Sequence, residues 1–512
     1  MSVTGDSASE FGDDYLSDEY QSSDDPDWEV PIKRTKIQQA NGQHIVNWSR
    51  NNTNLSYLDK VDKVIDAVVR RFTDLGSEDD ADEDDADDNK TDDGEIIWDV
   101  ADGSSLKRFH FTENDIGIKS EFYEEYKNKD PYDFFKIFVT DSIVKHMARQ
   151  TNMYAKQTAR RIKKSKGHVK AWIPTNCAEM EKFLGIILWM GLMKLPRLKA
   201  YWSTSILYAT KIKHAMPRHR FEQLLQMWYF NGNKGGDIHN AKLRKLTPLV
   251  QKLTERFQYV LKPGSDVCID ETLVPFRGCL ESNQYRKDKR HITFGIKMYK
   301  LCTSRGYTYN LKIYCGKTRE ESASTNVVFS LMDTLLDTGR TLYTDDYYTS
   351  VSLASQLLQR KTHLVGTVRS NRKYNSKSVV NKELKKNEVF AEESGTGIVM
   401  LKWRDTHDDV LMLSTQHKVD VVPVRQRGKE INKPQAVIDY NKSKSCVDLS
   451  DQLESYSHCL GKGTKWYRKL AVELIFGPAL VNSYLMFKDV THSKISITEY
   501  KEKLALTLLK KR

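Results

Sequence analysis

Four aspartates carry the chemistry this sequence is equipped for: Asp270, Asp345, Asp448 and Asp451. Asp270 stands beside Glu271 in the stretch DVCIDETLVPFRG, residues 266–278. Asp345 is followed at once by Asp346, and Asp448 and Asp451 lie three apart in NKSKSCVDLSDQLESYS. A carboxylate set among core residues is costly to bury unless a metal or a partner uses it. Two carboxylates brought close repel, and each raises the pKa of the other. A divalent cation between them removes the problem. Two such cations, roughly 3.5–4 Å apart, activate a water or a 3′-hydroxyl and stabilise the leaving oxygen of a phosphodiester. An all-oxygen ligand set suits Mg²⁺ or Mn²⁺ better than zinc. The chemistry to look for is therefore the cutting and joining of DNA strands.

The elements around these residues decide whether they can meet. Alternation of Val267, Ile269, Leu273 and Phe276 predicts a strand over 265–276. Residues 292–302 and 307–315 read as a hairpin across Thr303-Ser304-Arg305-Gly306. A helix over 324–336 stops at Gly339, a strand over 340–344 ends in Asp345–Asp346, a helix covers 348–360 and a strand 362–368. The order β-β-β-α-β-α-β predicts a mixed five-stranded sheet, the order of the ribonuclease H-like fold. In it the first strand lies beside the strand from Arg340, so Asp270 and Asp345 approach each other. Residues 371–433 break the pattern and read as a polar insertion with strand-like pieces at 397–403 and 410–415. The core resumes with AVIDY, residues 436–440, read as another strand. Asp448 and Asp451 then share one face at the start of a helix, where they complement its dipole. Taken alone they fit ordinary capping; beside Asp270 and Asp345 they read as a third ligand with an auxiliary carboxylate.

Helical periodicity dominates residues 109–263. Helices are expected over 130–147, with Asp130 as cap and Pro131 in the first turn, and over 177–193, 217–230 and 243–261. Residues 160–170, RRIKKSKGHVK, fit a phosphate-contacting loop, a nuclear import signal or a solvated basic loop. Trp228, Tyr229 and Phe230 read as core rather than base-stacking residues.

Composition narrows the partner. The 512 residues carry a net charge of +11, but residues 1–100 hold 27 acidic and 9 basic side chains. The remainder therefore carries 71 basic against 42 acidic side chains, a net of +29. Such a body favours a polyanion, and an acidic arm can compete for the same surface. That arm is expected to be disordered, with one amphipathic helix over 58–75. The seven cysteines include no CxxC pair and fit neither a zinc motif nor a disulfide framework, which suggests a reducing compartment. The longest apolar run, 183–193, is too short to span a bilayer, and no signal-peptide pattern opens the chain.

The stretches IDETLVPFRG, YTDDYYTSVSLASQLL, GTVRSNR, DYNKSKSCVDLSDQ and KWYRKLAVELIFGPALVNSY together resemble the piggyBac transposase family, over about residues 130–487. The resemblance implies an α/β, ribonuclease H-like catalytic core over 263–372 and 434–457, interrupted by an insertion domain over 373–433. It implies a mainly α-helical dimerisation and DNA-binding domain built from 106–262 and 458–512, behind a disordered arm over 1–105. It also implies a nuclear, homodimeric enzyme that moves DNA by cut-and-paste at TTAA targets. By motif, Asp270, Asp345 and Asp448 are the catalytic, metal-binding aspartates, and Asp451 accompanies them; Asp346 rivals Asp345. Arg277, Tyr285, Lys289, Arg369, Arg372 and Trp466 match DNA-contacting positions, with core packing the alternative for Trp466. The family's proline-containing QY motif is altered here to QYRKDKRHITFGIK, residues 284–297, and no cysteine follows Cys459 to build a zinc-binding tail. The expectation is thus a naturally tail-less transposase, a truncated one or a host-domesticated DNA-binding derivative.

Overall fold

The computed structural model describes residues 96–164, 172–208, 210–232, 243–276, 283–285, 294–314, 324–405, 408–426, 429–456, 459 and 465–511. The acidic arm, the helix expected over 58–75 and most of the basic stretch 160–170 lie outside these residues.

Local chemistry sets the first helices. Pro131–Phe138 (α1) starts at a reciprocal capping box between Asp130 and Asp133, with Pro131 in the first turn. The single helix expected over 130–147 is instead two. α1 closes at Val139, whose N–H donates to the Phe135 carbonyl at 2.9 Å, and Asp141–Lys164 (α2) begins after Thr140. The Thr140 hydroxyl accepts the Ile143 N–H at 3.4 Å, a local bond that competes with helix continuation. Cys177–Leu192 (α3) is capped by the Asn176 side chain, which accepts the Glu179 N–H. Arg218–Met227 (α4) and Thr247–Val260 (α5) complete this block. Trp228, Tyr229 and Phe230 are buried in its core, as expected.

One mixed sheet follows, of ten strands among the described residues where five were expected. They are Trp98–Val100 (β1), Asp266–Pro275 (β2), Asn283–Tyr285 (β3), Phe294–Thr303 (β4), Thr308–Ile313 (β5), Thr341–Thr344 (β6), His363–Thr367 (β7), Val389–Ser394 (β8), Val399–Arg404 (β9) and Asp409–Ser414 (β10). The expected five stand in the expected order, β5-β4-β2-β6-β7. β2 runs antiparallel to β4 and parallel to β6, and β6 is parallel to β7. The sheet then continues, because β10 pairs antiparallel with β7 and is followed by β9, β8 and β1. This pairing covers the row of backbone donors and acceptors that β7 would otherwise present as an edge. Val421–Gln426 (β11) and Lys429–Pro434 (β12) form a separate hairpin.

Strand alternation divides the core into two faces. Ser324–Met332 (α6) and Val351–Gln359 (α7) cover Val267, Ile269, Tyr299, Leu342 and Leu364. Gln435–Ser443 (α8) and Cys446–Ser455 (α9) cover Cys268, Cys302, Tyr343, Val365 and Trp403 on the other. AVIDY, expected as a strand, therefore lies in a helix. Ala436, Val437 and Tyr440 bury one helical face against the sheet, while Asp439 accepts hydrogen bonds from Gln435 and Lys442 outside it. An apolar run of that length has no period of its own to select strand over helix.

The chain returns to the first block at its end. Trp466–Phe476 (α10), Pro478–Thr491 (α11) and Ile497–Leu509 (α12) share one core with α1, α3 and α5. Tyr500 ties them by donating to the Pro131 carbonyl at 3.0 Å, beside the Ser483 hydroxyl at 2.9 Å. Residues 466–491 are long and apolar enough to cross a membrane, but they are buried inside this helical core.

Candidate functional site

The site forms where a long strand outruns a short one. β2 pairs with β6 only as far as Ile269 opposite Thr344, while β2 itself runs on to Pro275. Asp270 is the first residue past that pairing, and Asp345 is the first residue after β6. Carboxylate oxygens of Asp270, Glu271 and Asp345 lie within 4.8 Å of one another. The approach of Asp270 to Asp345 read from strand order is present. Glu271 joins from the opposite side of the strand, where Lys297 Nζ holds its Oε1 at 2.8 Å.

Three carboxylates this close leave negative charge uncompensated. Burial pushes the Asp270 carboxyl up to about 8, helped by its hydrogen bond to Glu271 and by the charges of Glu271 and Asp345. Burial likewise pushes Asp345 up to about 6, with Glu271 and Asp346 adding repulsion. The arrangement favours either a shared proton or a bound cation. Oxygen donors of this number and spacing fit a hard divalent ion such as Mg²⁺ or Mn²⁺. Asp270, Glu271 and Asp345 are the residues placed to hold one.

A turn after β6 fixes the Asp345 side chain. Its Oδ1 accepts the Tyr347 N–H at 3.1 Å, and its backbone carbonyl accepts the Thr349 hydroxyl at 2.7 Å. Asp346 points elsewhere and pairs with Arg369 Nε at 3.5 Å. Within the cluster, then, the carboxylate is that of Asp345. Arg372 is buried and donates to the Tyr347 carbonyl at 2.6 Å, so it braces the same turn from below. A cleft of about 450 Å³ lined by Asp346, Thr367, Ser370 and Lys402 opens beside this turn.

The two aspartates on α9 stand differently. Asp448 is exposed in the first turn and is not part of the 4.8 Å group. Asp451 Oδ1 accepts the Thr272 hydroxyl at 2.8 Å and the Lys300 ammonium at 2.9 Å. Lys300 also donates to Glu454 Oε1 at 2.7 Å and is fully buried. Burial opposes its charge, but Glu454 and Asp451 outweigh that and hold the ammonium protonated well above its ordinary range. Burial raises Glu454 to about 7 despite the ammonium.

Of the expected DNA-contacting residues, Arg277 and Lys289 lie outside the described residues, and only the backbone of Tyr285, in β3, is described. Trp466 opens α10, half-buried, edge-on to Tyr467 at 6.0 Å and packed against the helical core. Sequence reading passed over Lys300 and Glu454 and gave Glu271 no role. A lysine alternating with apolar residues in FGIKMYKLCT was the available signal for Lys300, since its cross-strand partner is Asp270.

Known proteins resemble this chain at two levels. The family model described as transposase IS4 matches residues 130–484. Human piggyBac transposable element-derived protein 3 is 24% identical over 397 residues, 73% of this chain and 64% of that protein. Human piggyBac transposable element-derived protein 2 is 23% identical over 389 residues, 71% of this chain and 63% of that protein. The matched region thus spans a little under two thirds of each relative's own length. The fold is similar to the piggyBac transposase in a cryo-EM synaptic complex with hairpin DNA, with a TM-score of 0.67. That likeness is at 24% identity and covers 77% of this chain and 82% of the other.

Proposed function

This chain belongs to the piggyBac transposase family, and from that premise we propose that it is a DNA transposase that cleaves and joins strands with divalent cations. The observation that carries the reading is the Asp270–Glu271–Asp345 cluster at the gap between β2 and β6. Asp270, Asp345 and Asp448 are the catalytic aspartates of this reading, and double-stranded DNA with TTAA targets is the substrate. When bound, Mg²⁺ or Mn²⁺ supplies Lewis acidity at the phosphodiester and charge to offset the leaving oxygen. The protein's own part is positioning. Lys297 steadies Glu271, the Tyr347 N–H orients Asp345, and Arg372 holds the turn that presents that N–H. Arg369, whose guanidinium pairs with the cleft-lining Asp346, is a phosphate contact of this reading. The basic body supplies the nonspecific attraction to DNA. Action as a homodimer in the nucleus completes the proposal.

A second reading is a domesticated nuclear protein that binds DNA without transposing it. Two observations favour it: the human relatives are transposable element-derived proteins, and Asp448 stands outside the carboxylate cluster. Incubation of TTAA-flanked DNA with Mg²⁺ separates the two. Nicking by the wild type, abolished by Asp270→Ala, is the expected result. DNA binding that persists in Asp270→Ala, with no nicking by the wild type, would establish the second reading instead.

A further inference from the structure

A buried lysine stands where the motif resemblance asks for a metal-facing carboxylate to be free. Lys300 is the cross-strand partner of Asp270 in the β2–β4 ladder, so both side chains leave the same face of the sheet. That face is the one covered by α9. Lys300 Nζ reaches into α9 and binds Asp451 at 2.9 Å and Glu454 at 2.7 Å. The oxygen of Asp451 that it binds is also the acceptor for Thr272, two residues beyond Asp270 on β2. Ser450 donates to the Glu454 oxygen at 3.2 Å. Asp451 Oδ1 and Glu454 Oε1 are each held by two of the protein's own donors.

We propose that the Lys300 ammonium takes the place of a cation at Asp451, so that Asp451 anchors α9 to the sheet instead of ligating metal. Charge counting supports this. Three carboxylates of Asp270, Glu271 and Asp345 against the ammonium of Lys297 leave a formal charge of −2, which one divalent ion cancels. Asp451 and Glu454 already face a fully buried positive charge, and a dication at the partly exposed Asp451 would stand against an ammonium that water does not reach. Lys300 is therefore a positioning residue. It fixes the turn of α9 that carries Asp451, and with it the placement of Asp448 one turn earlier. The inference rests on the reading of Asp270 and Asp345 as ligands, and it predicts that the family's accompanying carboxylate has changed its task in this chain.

The test measures Mn²⁺ binding to the full chain without DNA, by calorimetric titration and by the Mn²⁺-dependent shift in melting temperature. Carboxylate count sets divalent-ion affinity, so Asp270→Asn is expected to weaken Mn²⁺ binding roughly tenfold or more, while Asp451→Asn changes it by less than about threefold. Lys300→Met removes the ammonium and frees two carboxylates. It is expected to show a Mn²⁺-dependent rise in melting temperature larger than that of the wild type, and adding Asp451→Asn is expected to remove the increment. Should Lys300→Met fail to fold, Asp451→Asn, which keeps the Lys300–Glu454 pair, still decides the matter. Loss of Mn²⁺ affinity in Asp451→Asn equal to that in Asp270→Asn would overturn the proposal, and so would a folded Lys300→Met with no Mn²⁺ gain. A wild type whose Mn²⁺ binding is indifferent to Asp270→Asn would count against the metal-dependent function itself, leaving the Lys300→Met response to judge the lysine.

Discussion

Removing the Asp270 charge should make this protein more stable when no divalent ion is present. The perturbation is Asp270→Asn, nearly isosteric, which deletes one charge from three carboxylates within 4.8 Å. The Asp270 carboxyl moves from its ordinary 3.8 up to about 8 in the folded chain. An acid raised on folding keeps its proton in the native state after the unfolded chain has lost it. Its penalty is thus absent below about pH 4, grows as the pH climbs, and is complete once the pH passes 8. At 1.36 kcal/mol per pKa unit, the ceiling on that penalty is about 5–6 kcal/mol. Asp270, Glu271 and Asp345 share their protons, so removing one relieves a fraction, about 2 kcal/mol. Urea unfolding of the full chain in a chelator at pH 8.5 measures this directly. The substituted protein is expected to unfold at higher urea, with a gain that shrinks steadily toward pH 5.5. Millimolar Mn²⁺ should stabilise the wild type and reverse the order, because a bound cation neutralises the cluster only when all its ligands are present. Equal or lower stability of Asp270→Asn at pH 8.5, or a gain that ignores pH, would refute the electrostatic account of the site.

Three further outcomes follow from the same geometry. Arg372→Lys loses the guanidinium that donates to the Tyr347 carbonyl and should cost about 1–3 kcal/mol in urea unfolding, while slowing nicking by loosening the Asp345 turn. Gly366→Ala places a methyl group against the Thr344 carbonyl and the Thr349 hydroxyl, and should lower stability by about 1–3 kcal/mol or more, read as soluble yield and unfolding midpoint. DNA affinity should fall at least about a hundredfold between 50 and 200 mM salt, measured by fluorescence anisotropy, since a basic body displaces counterions; a flat response would argue against DNA as the partner.

The site was legible in the sequence to the extent that it depends on strand order. The spacing of apolar residues around Asp270 and the Asp345 that ends the next parallel strand were enough to bring two carboxylates together. The choice between Asp345 and Asp346 was not legible, because both follow β6 directly. The turn decides it by giving Asp345 Oδ1 the Tyr347 N–H and sending Asp346 to Arg369. Glu271 was visible as a neighbour of Asp270, but alternation assigns it to the other face. It reaches the cluster because β6 stops short of β2.

What the sequence by itself determined is whatever local chemistry or period can settle. The Asp130 cap and Pro131 start of α1, the alternation of β2, and the shared face of Asp448 and Asp451 at the start of α9 belong here. Each needs only a few adjacent residues to be satisfied. Tertiary structure alone decided that AVIDY is helical, that residues 389–414 extend the sheet, and that Lys300 is buried. A short apolar run takes the conformation whose buried face fits its neighbours. An edge strand is capped by whichever segment reaches it. A buried ammonium is tolerable only beside carboxylates that lie 151 and 154 residues away in the chain. No window of sequence contains both partners of that pairing, which is why Asp451 reads as a metal ligand in the sequence and as an anchor for α9 in the fold.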